Sequence, residues 1–212
     1  ETLWHLAAHD GRIDVLEHLK SKGLLDMIDE PDQDDGWAPL HYATYFNKEE
    51  AARWMMNNGA DINAIANLEG TTVFSFACET MSPSFVEELA GKVAPDHLAL
   101  PNNRDESPMG RAFVRDEDLG GYLPIVRLLI LRGVPVRTQD FPAGYFLPRR
   151  RQILASIEAD LKLNDHTWIG QVLAGGVHAP TPTAPTYTTT TSAATTKRVR
   201  TQQPDGSWSS PV

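Results

Sequence analysis

The sequence predicts an all-α solenoid of short paired helices. Three observations predict it: a self-similarity of about 34 to 36 residues, one-sided apolar stripes at helical spacing, and glycines placed just after those stripes. His5-Leu6-Ala7 returns as His41-Tyr42-Ala43, and Gly23 returns as Gly59, both 36 residues on. A third copy runs from Gly70 to Ala77, its glycine and alanine each 34 residues after Gly36 and Ala43. A fourth begins at Ser107-Pro108-Met109-Gly110-Arg111-Ala112 and continues from Gly121 to Gly133.

Each unit reads as two helices. Thr2, Thr72 and Ser107 stand where a hydroxyl can accept from an orphan N–H, and Pro39 and Pro108 stand at a first helical position that needs no N–H. Ala7, Ala8, Ala43, Ala77 and Ala112 let neighbouring first helices approach closely. The second helices carry Val15/Leu16/Leu19, Ala51/Ala52/Met55, Phe85/Val86/Leu89 and Ile125/Val126/Leu129, the i, i+1, i+4 stripe of an amphipathic helix. Gly23, Gly59 and Gly133 follow, where a left-handed residue ends a helix.

With Ala38-Pro39-Leu40-His41-Tyr42-Ala43 and Asn58-Gly59-Ala60-Asp61-Ile62-Asn63 at one spacing, the sequence resembles the ankyrin-repeat family. The resemblance covers about residues 2 to 140 and implies an ankyrin-repeat solenoid of helix-turn-helix units joined by finger loops. An array over 1–140 would hold repeats near 2–35, 36–68, 69–101 and 102–138. The last two depart from the family pattern: Ser75 and Gly110 replace its histidine, Val93 replaces a terminal glycine, and Val114 to Gly120 is an insertion. Residues 141–178 are expected to add a capping helix, started by Pro148 and striped by Ile153, Leu154, Ile157 and Leu161, then a short helical segment around Trp168/Ile169/Val172/Leu173. The Thr/Pro-rich stretch 179–212 is expected to be a disordered tail.

Composition narrows the function. A net charge of −9 disfavours a nucleic-acid surface, which needs concentrated basic residues. The single cysteine, Cys78, allows no internal disulfide and points to a reducing compartment, the cytoplasm or alternatively the nucleus. No run of apolar residues is long enough to span a membrane, and the start at Glu1 reads as a fragment or a processed chain.

Candidate chemistry is sparse. His5 and His9 have the i, i+4 spacing of a metal pair, but Leu6 stands where zincin chemistry needs glutamate. The resemblance instead gives His5 a structural role bridging neighbouring repeats. Cys78 with His97 as a base is the nucleophile alternative, set against a buried inert thiol. Neither yields a catalytic residue, a metal site or a cofactor. Arg149-Arg150-Arg151 and Lys197-Arg198-Val199-Arg200 read as solvated charge or, for the second, as an import signal. Asp26, Asp29, Glu30, Asp32, Asp34 and Asp35 form an acidic stretch without Lys or Arg, either a solvated loop or a contact for a Lys/Arg-rich partner segment.

The expected function is non-enzymatic protein binding by a monomer, with no nucleic-acid or membrane partner. The alternatives are a targeting arm of an enzyme whose catalytic domain lies outside this chain, and a plain spacer. The family's contact positions, carried over by resemblance, fall on Asp34, Asp35, Trp37, Tyr45 and Phe46 in the second repeat, and on Leu68, Glu69, Thr71, Glu79 and Thr80 in the third.

Overall fold

Two layers of short helices alternate along the chain. In the computed structural model the described residues are 1–114, 121, 123–141 and 147–161. The inner layer stacks α1 (Leu3–Asp10), α3 (Pro39–Tyr45), α5 (Val73–Thr80) and α7 (Pro108–Phe113), each against the next. Behind it lie α2 (Ile13–Ser21), α4 (Glu49–Asn57), α6 (Pro83–Ala90) and α8 (Leu123–Leu131), and α9 (Leu147–Leu161) packs on α8. Short 3-10 turns at Leu25–Met27, Pro95–Leu98 and Thr138–Asp140 belong to the connections.

The inner helices pack closely because alanine sits at their contacts: Ala7, Ala8, Ala43, Ala77 and Ala112 are all buried. The outer helices bury the predicted stripes, with Leu16, Ala52, Met55, Phe85, Val86, Ile125, Val126 and Leu129 removed from solvent. Ile153, Leu154 and Ile157 of α9 close the far end of that core. Thr72 and Ser107 cap their helices by accepting from Ser75 N–H at 3.0 Å and Gly110 N–H at 3.1 Å. Gly23, Gly59 and Gly133 adopt the left-handed conformation after α2, α4 and α8. In the third unit α6 stops at Ala90 with a right-handed Gly91, so Val93 is free to enter the core.

Successive fingers are tied to one another. Asn67 N–H donates to the Gly36 carbonyl at 3.3 Å, and Asn103 N–H donates to that of Glu69 at 2.8 Å. The tip residue is left-handed in each: Gly36 at φ 71°, Gly70 at 70° and Asp105 at 60°. A side chain on Gly36 has no room, since a Cβ there would lie 2.5 Å from Asn67 Cβ. The tail 179–212, the Trp168 segment and residues 115–120 of the insertion lie outside the described residues.

Candidate partner-binding face

The face is built on the inner helices, and histidines set their register. His5 accepts from Thr2 N–H at Nδ1, 3.0 Å, and donates from Nε2 to the Trp37 carbonyl at 2.9 Å. These two partners require the neutral Nε2–H tautomer. Burial lowers the pKa of this imidazole, although the Trp37 carbonyl favours its charged form. The bridge also fixes where Trp37 leaves the finger. His41 repeats the Nδ1 half of the arrangement, accepting from Ala38 N–H at 3.1 Å, and burial pushes it down to about 4.

Trp37 is half-buried beneath a cluster of rings. Its centroid lies 5.2 Å from Tyr45, 5.4 Å from Tyr42 and 4.7 Å from Phe76. Phe46 stands 5.1 Å from Tyr45 and 4.0 Å from His9. Tyr45 and Phe46 are 40% and 38% exposed, and Leu3 and Leu6 on the adjacent α1 are 62% and 50% exposed. Sequence reasoning missed the two leucines, although Leu6 aligns with Tyr42 at the same 36-residue spacing.

The acidic finger differs from a solvated loop. Asp32 is buried: its Oδ1 accepts from the N–H groups of Asp34, Asp35 and Gly36, and its Oδ2 accepts from the Tyr42 hydroxyl at 2.7 Å. Burial alone would raise this carboxyl, but the four donors outweigh it and hold the pKa below the usual value. Asp29 accepts from Asp61 N–H at 2.7 Å and so joins two units. Those two carboxylates are structural, while Asp34 and Asp35 remain exposed.

The third-repeat positions are divided. Leu68 is exposed. Glu69 pairs with Arg104 at 2.7 Å, and Glu79 pairs with Arg111 at 2.6 Å. Thr80 turns its hydroxyl to the Thr44 carbonyl at 2.6 Å. Thr71 does not belong to the surface: it is fully buried, and its hydroxyl accepts from Asn102 Nδ2 at 3.2 Å.

Of the residues considered for chemistry, His5 and Cys78 are committed to the fold, whereas His9 lies at the surface. Both nitrogens of His5 are engaged, His9 Nδ1 lies 2.6 Å from Asp10, and Cys78 is fully buried on α5. Among the described residues no group of His, Cys, Asp and Glu is arranged to hold a metal ion. Nor is any helix there long and apolar enough to cross a membrane.

Stacked helix pairs, bridging histidines and linked fingers define a class of protein, and comparison with known sequences agrees with it. Residues 1–66 match a family model described as ankyrin repeats (3 copies), and this part of the chain carries ankyrin repeats. Protein phosphatase 1 regulatory subunit 12A of Rattus norvegicus is 37% identical over 109 residues, covering 51% of this chain and 10% of the relative. The protein of the same name from Mus musculus is 37% identical over 91 residues, covering 43% and 8%. The chain therefore spans a tenth or less of the length of these curated relatives.

Proposed function

We propose that the chain is a non-enzymatic module that binds a protein partner through its finger tips and the concave face of its inner helices. One observation carries the reading: Leu3 and Leu6 on α1 and Tyr45 and Phe46 at the end of α3 are exposed apolar side chains on two adjacent inner helices. Rigid aromatic side chains are over-represented among the residues that dominate binding energy, and a stacked array presents them on a fixed frame. Asp34 and Asp35 on the finger favour a partner segment carrying Lys or Arg. The commitment of His5 and Cys78 to internal contacts supports a binding role over a catalytic one.

The likeness to a protein named as a phosphatase regulatory subunit favours a second reading, in which the module is the recruiting arm of a larger assembly with an enzyme. A photo-reactive amino acid at Leu6 or Tyr45, compared with one at Glu50 on α4, tests the binding face common to both. Partner cross-links from the inner-helix positions and none from Glu50 are expected. Cross-links from Glu50 alone would move the binding surface to the outer helices.

A further inference from the structure

Arg111 shows how this face holds a cation. Its guanidinium carbon lies 5.1 Å from the centroid of Phe76, and its nitrogens reach Glu79 at 2.6 Å and Glu106 at 2.8 Å. An aromatic ring with flanking carboxylates suits a guanidinium, which stacks by its plane and donates from its edge.

The same lateral row continues one unit back, where Tyr42 precedes Phe76 by 34 residues. There the rings of Trp37, Tyr42, Phe46 and Tyr45 form a closed circuit in which each lies 5.1 to 6.3 Å from the next. Two carboxylates converge on the Tyr42 hydroxyl, Asp32 Oδ2 at 2.7 Å and Glu1 Oε1 at 3.0 Å. That hydroxyl has a single proton to donate, so one of the two carboxylates faces it without receiving it. Exposed Asp34 and Asp35 lie on the finger just before Trp37 and add negative charge. Among the described residues, cations sit over Trp54, Phe85, Phe76 and Phe141, but none over Trp37, Tyr42, Tyr45 or Phe46. The second unit thus has the rings and carboxylates of the Arg111 arrangement without its cation.

We propose that the Trp37–Tyr42–Tyr45–Phe46 patch receives an arginine side chain from the protein partner. The guanidinium lies over the exposed ring surface, its charge is met by Asp34, Asp35 and Glu1, and apolar neighbours of that arginine cover Leu3 and Leu6. This assignment rests on the inner-helix face being the binding surface. It also sets a boundary: one unit further on, Arg111 already covers Phe76, so the arginine is read in the first two repeats.

The test measures binding of short fluorescent peptides to the full chain by anisotropy, with one arginine set between leucines, and the same peptide with neutral citrulline or with lysine. The arginine peptide is expected to bind about tenfold more tightly than the citrulline peptide, the scale of one desolvated cation–ring contact. The gap should close in Tyr45→Ala and, independently of any packing change, in the exposed double variant Asp34→Asn/Asp35→Asn. Arginine and citrulline peptides that bind equally, yet lose binding in Tyr45→Ala, would overturn the arginine site and leave the binding face standing. Equal binding of lysine and arginine would overturn the guanidinium assignment. An arginine preference that survives every variant would place the site elsewhere. Failure of all peptides to bind would also overturn the proposal, while the cross-linking comparison independently decides the face.

Discussion

The Ser107 hydroxyl donates to Asp140 Oδ1 at 2.7 Å, so the residue that caps α7 is held by the turn following α8. Asp140 also accepts from the backbone N–H, Nε and Nη2 of Arg137. In the first unit a histidine makes the link at this place. Here Gly110 stands at the histidine position, and a Cβ on it would already lie 3.4 Å from Asp140 Cα. The carboxylate supplies from the following turn what the imidazole supplies from within the helix.

Asp140→Ala should therefore be severe. It removes the acceptor of the Ser107 hydroxyl and of three Arg137 nitrogens, leaving the largely buried Arg137 paired with Asp105 alone at 2.7 Å, a loss of about 2 to 3 kcal/mol. Ser107→Ala removes the cap and the hydroxyl's bond to Asp140 but leaves the Arg137–Asp140 pair, and should cost about 1 to 2 kcal/mol. Urea denaturation of both variants measures the difference, and a larger loss for Ser107→Ala would show that the carboxylate does not organise this junction.

Gly36 and Gly59 separate backbone strain from crowding. Both are left-handed, at φ 71° and 94°, but only Gly36 faces a neighbour, with Asn67 Cβ 2.5 Å from its ideal Cβ. Gly59→Ala should cost about 1 to 2 kcal/mol for conformation alone. Gly36→Ala should lose about 1 to 3 kcal/mol more, because the finger ladder must open to admit the methyl group. Thermal melts of the two single variants check this, with Asn67→Gly added to Gly36→Ala as a partial rescue.

Acid should weaken the array in two stages. Burial holds His41 at about 4 in the folded chain, below its unfolded value of 6.5, so the unfolded chain binds more protons between these limits. Stability from this group is complete above about pH 6.5 and falls as pH drops toward 4, by about 3 kcal/mol in total. Asp32 acts lower. Its folded pKa lies below the ordinary aspartate value, and its contribution disappears only as pH falls below that value. Melting midpoints from pH 7 to 4 should decline less in His41→Gln than in the parent; identical slopes would remove His41 as the source.

Leu154 tests the end of the stack. It is fully buried between α9 and the last outer helix, so Leu154→Ala should cost about 2 to 5 kcal/mol. Arg151→Ala, an exposed position on the same helix, should stay within about 0.5 kcal/mol. Equal losses in guanidinium unfolding would mean that α9 stabilises through its charge and not through the Leu154 contact.

The stripes and caps were legible in the sequence because local periodicity encodes them: every aliphatic pattern assigned to an outer helix is buried at its centre. The site was less legible. Asp32 counts as one charge among six in a linear reading, whereas its role depends on four donors brought round it by the finger. Pairs such as Glu79 with Arg111, 32 residues apart, exist only once the stacking register is set. Leu3 and Leu6 look like core on so short a helix, and their exposure becomes visible only in the fold. Thr71 failed in the opposite sense. It keeps the family's contact position but meets the next finger's Asn102.

Several ties between units span nearly the same stretch of chain. His5 reaches Trp37, Asp29 reaches Asp61, Asn63 reaches Ala94 and Thr80 reaches Thr44, across 31 to 36 residues in each case. A folding chain thus closes a loop of similar length at each junction, and the associated entropy is set by that length rather than by the length of the whole protein. Extending the array by another unit adds a junction of the same reach and leaves unchanged the distance over which residues must find each other.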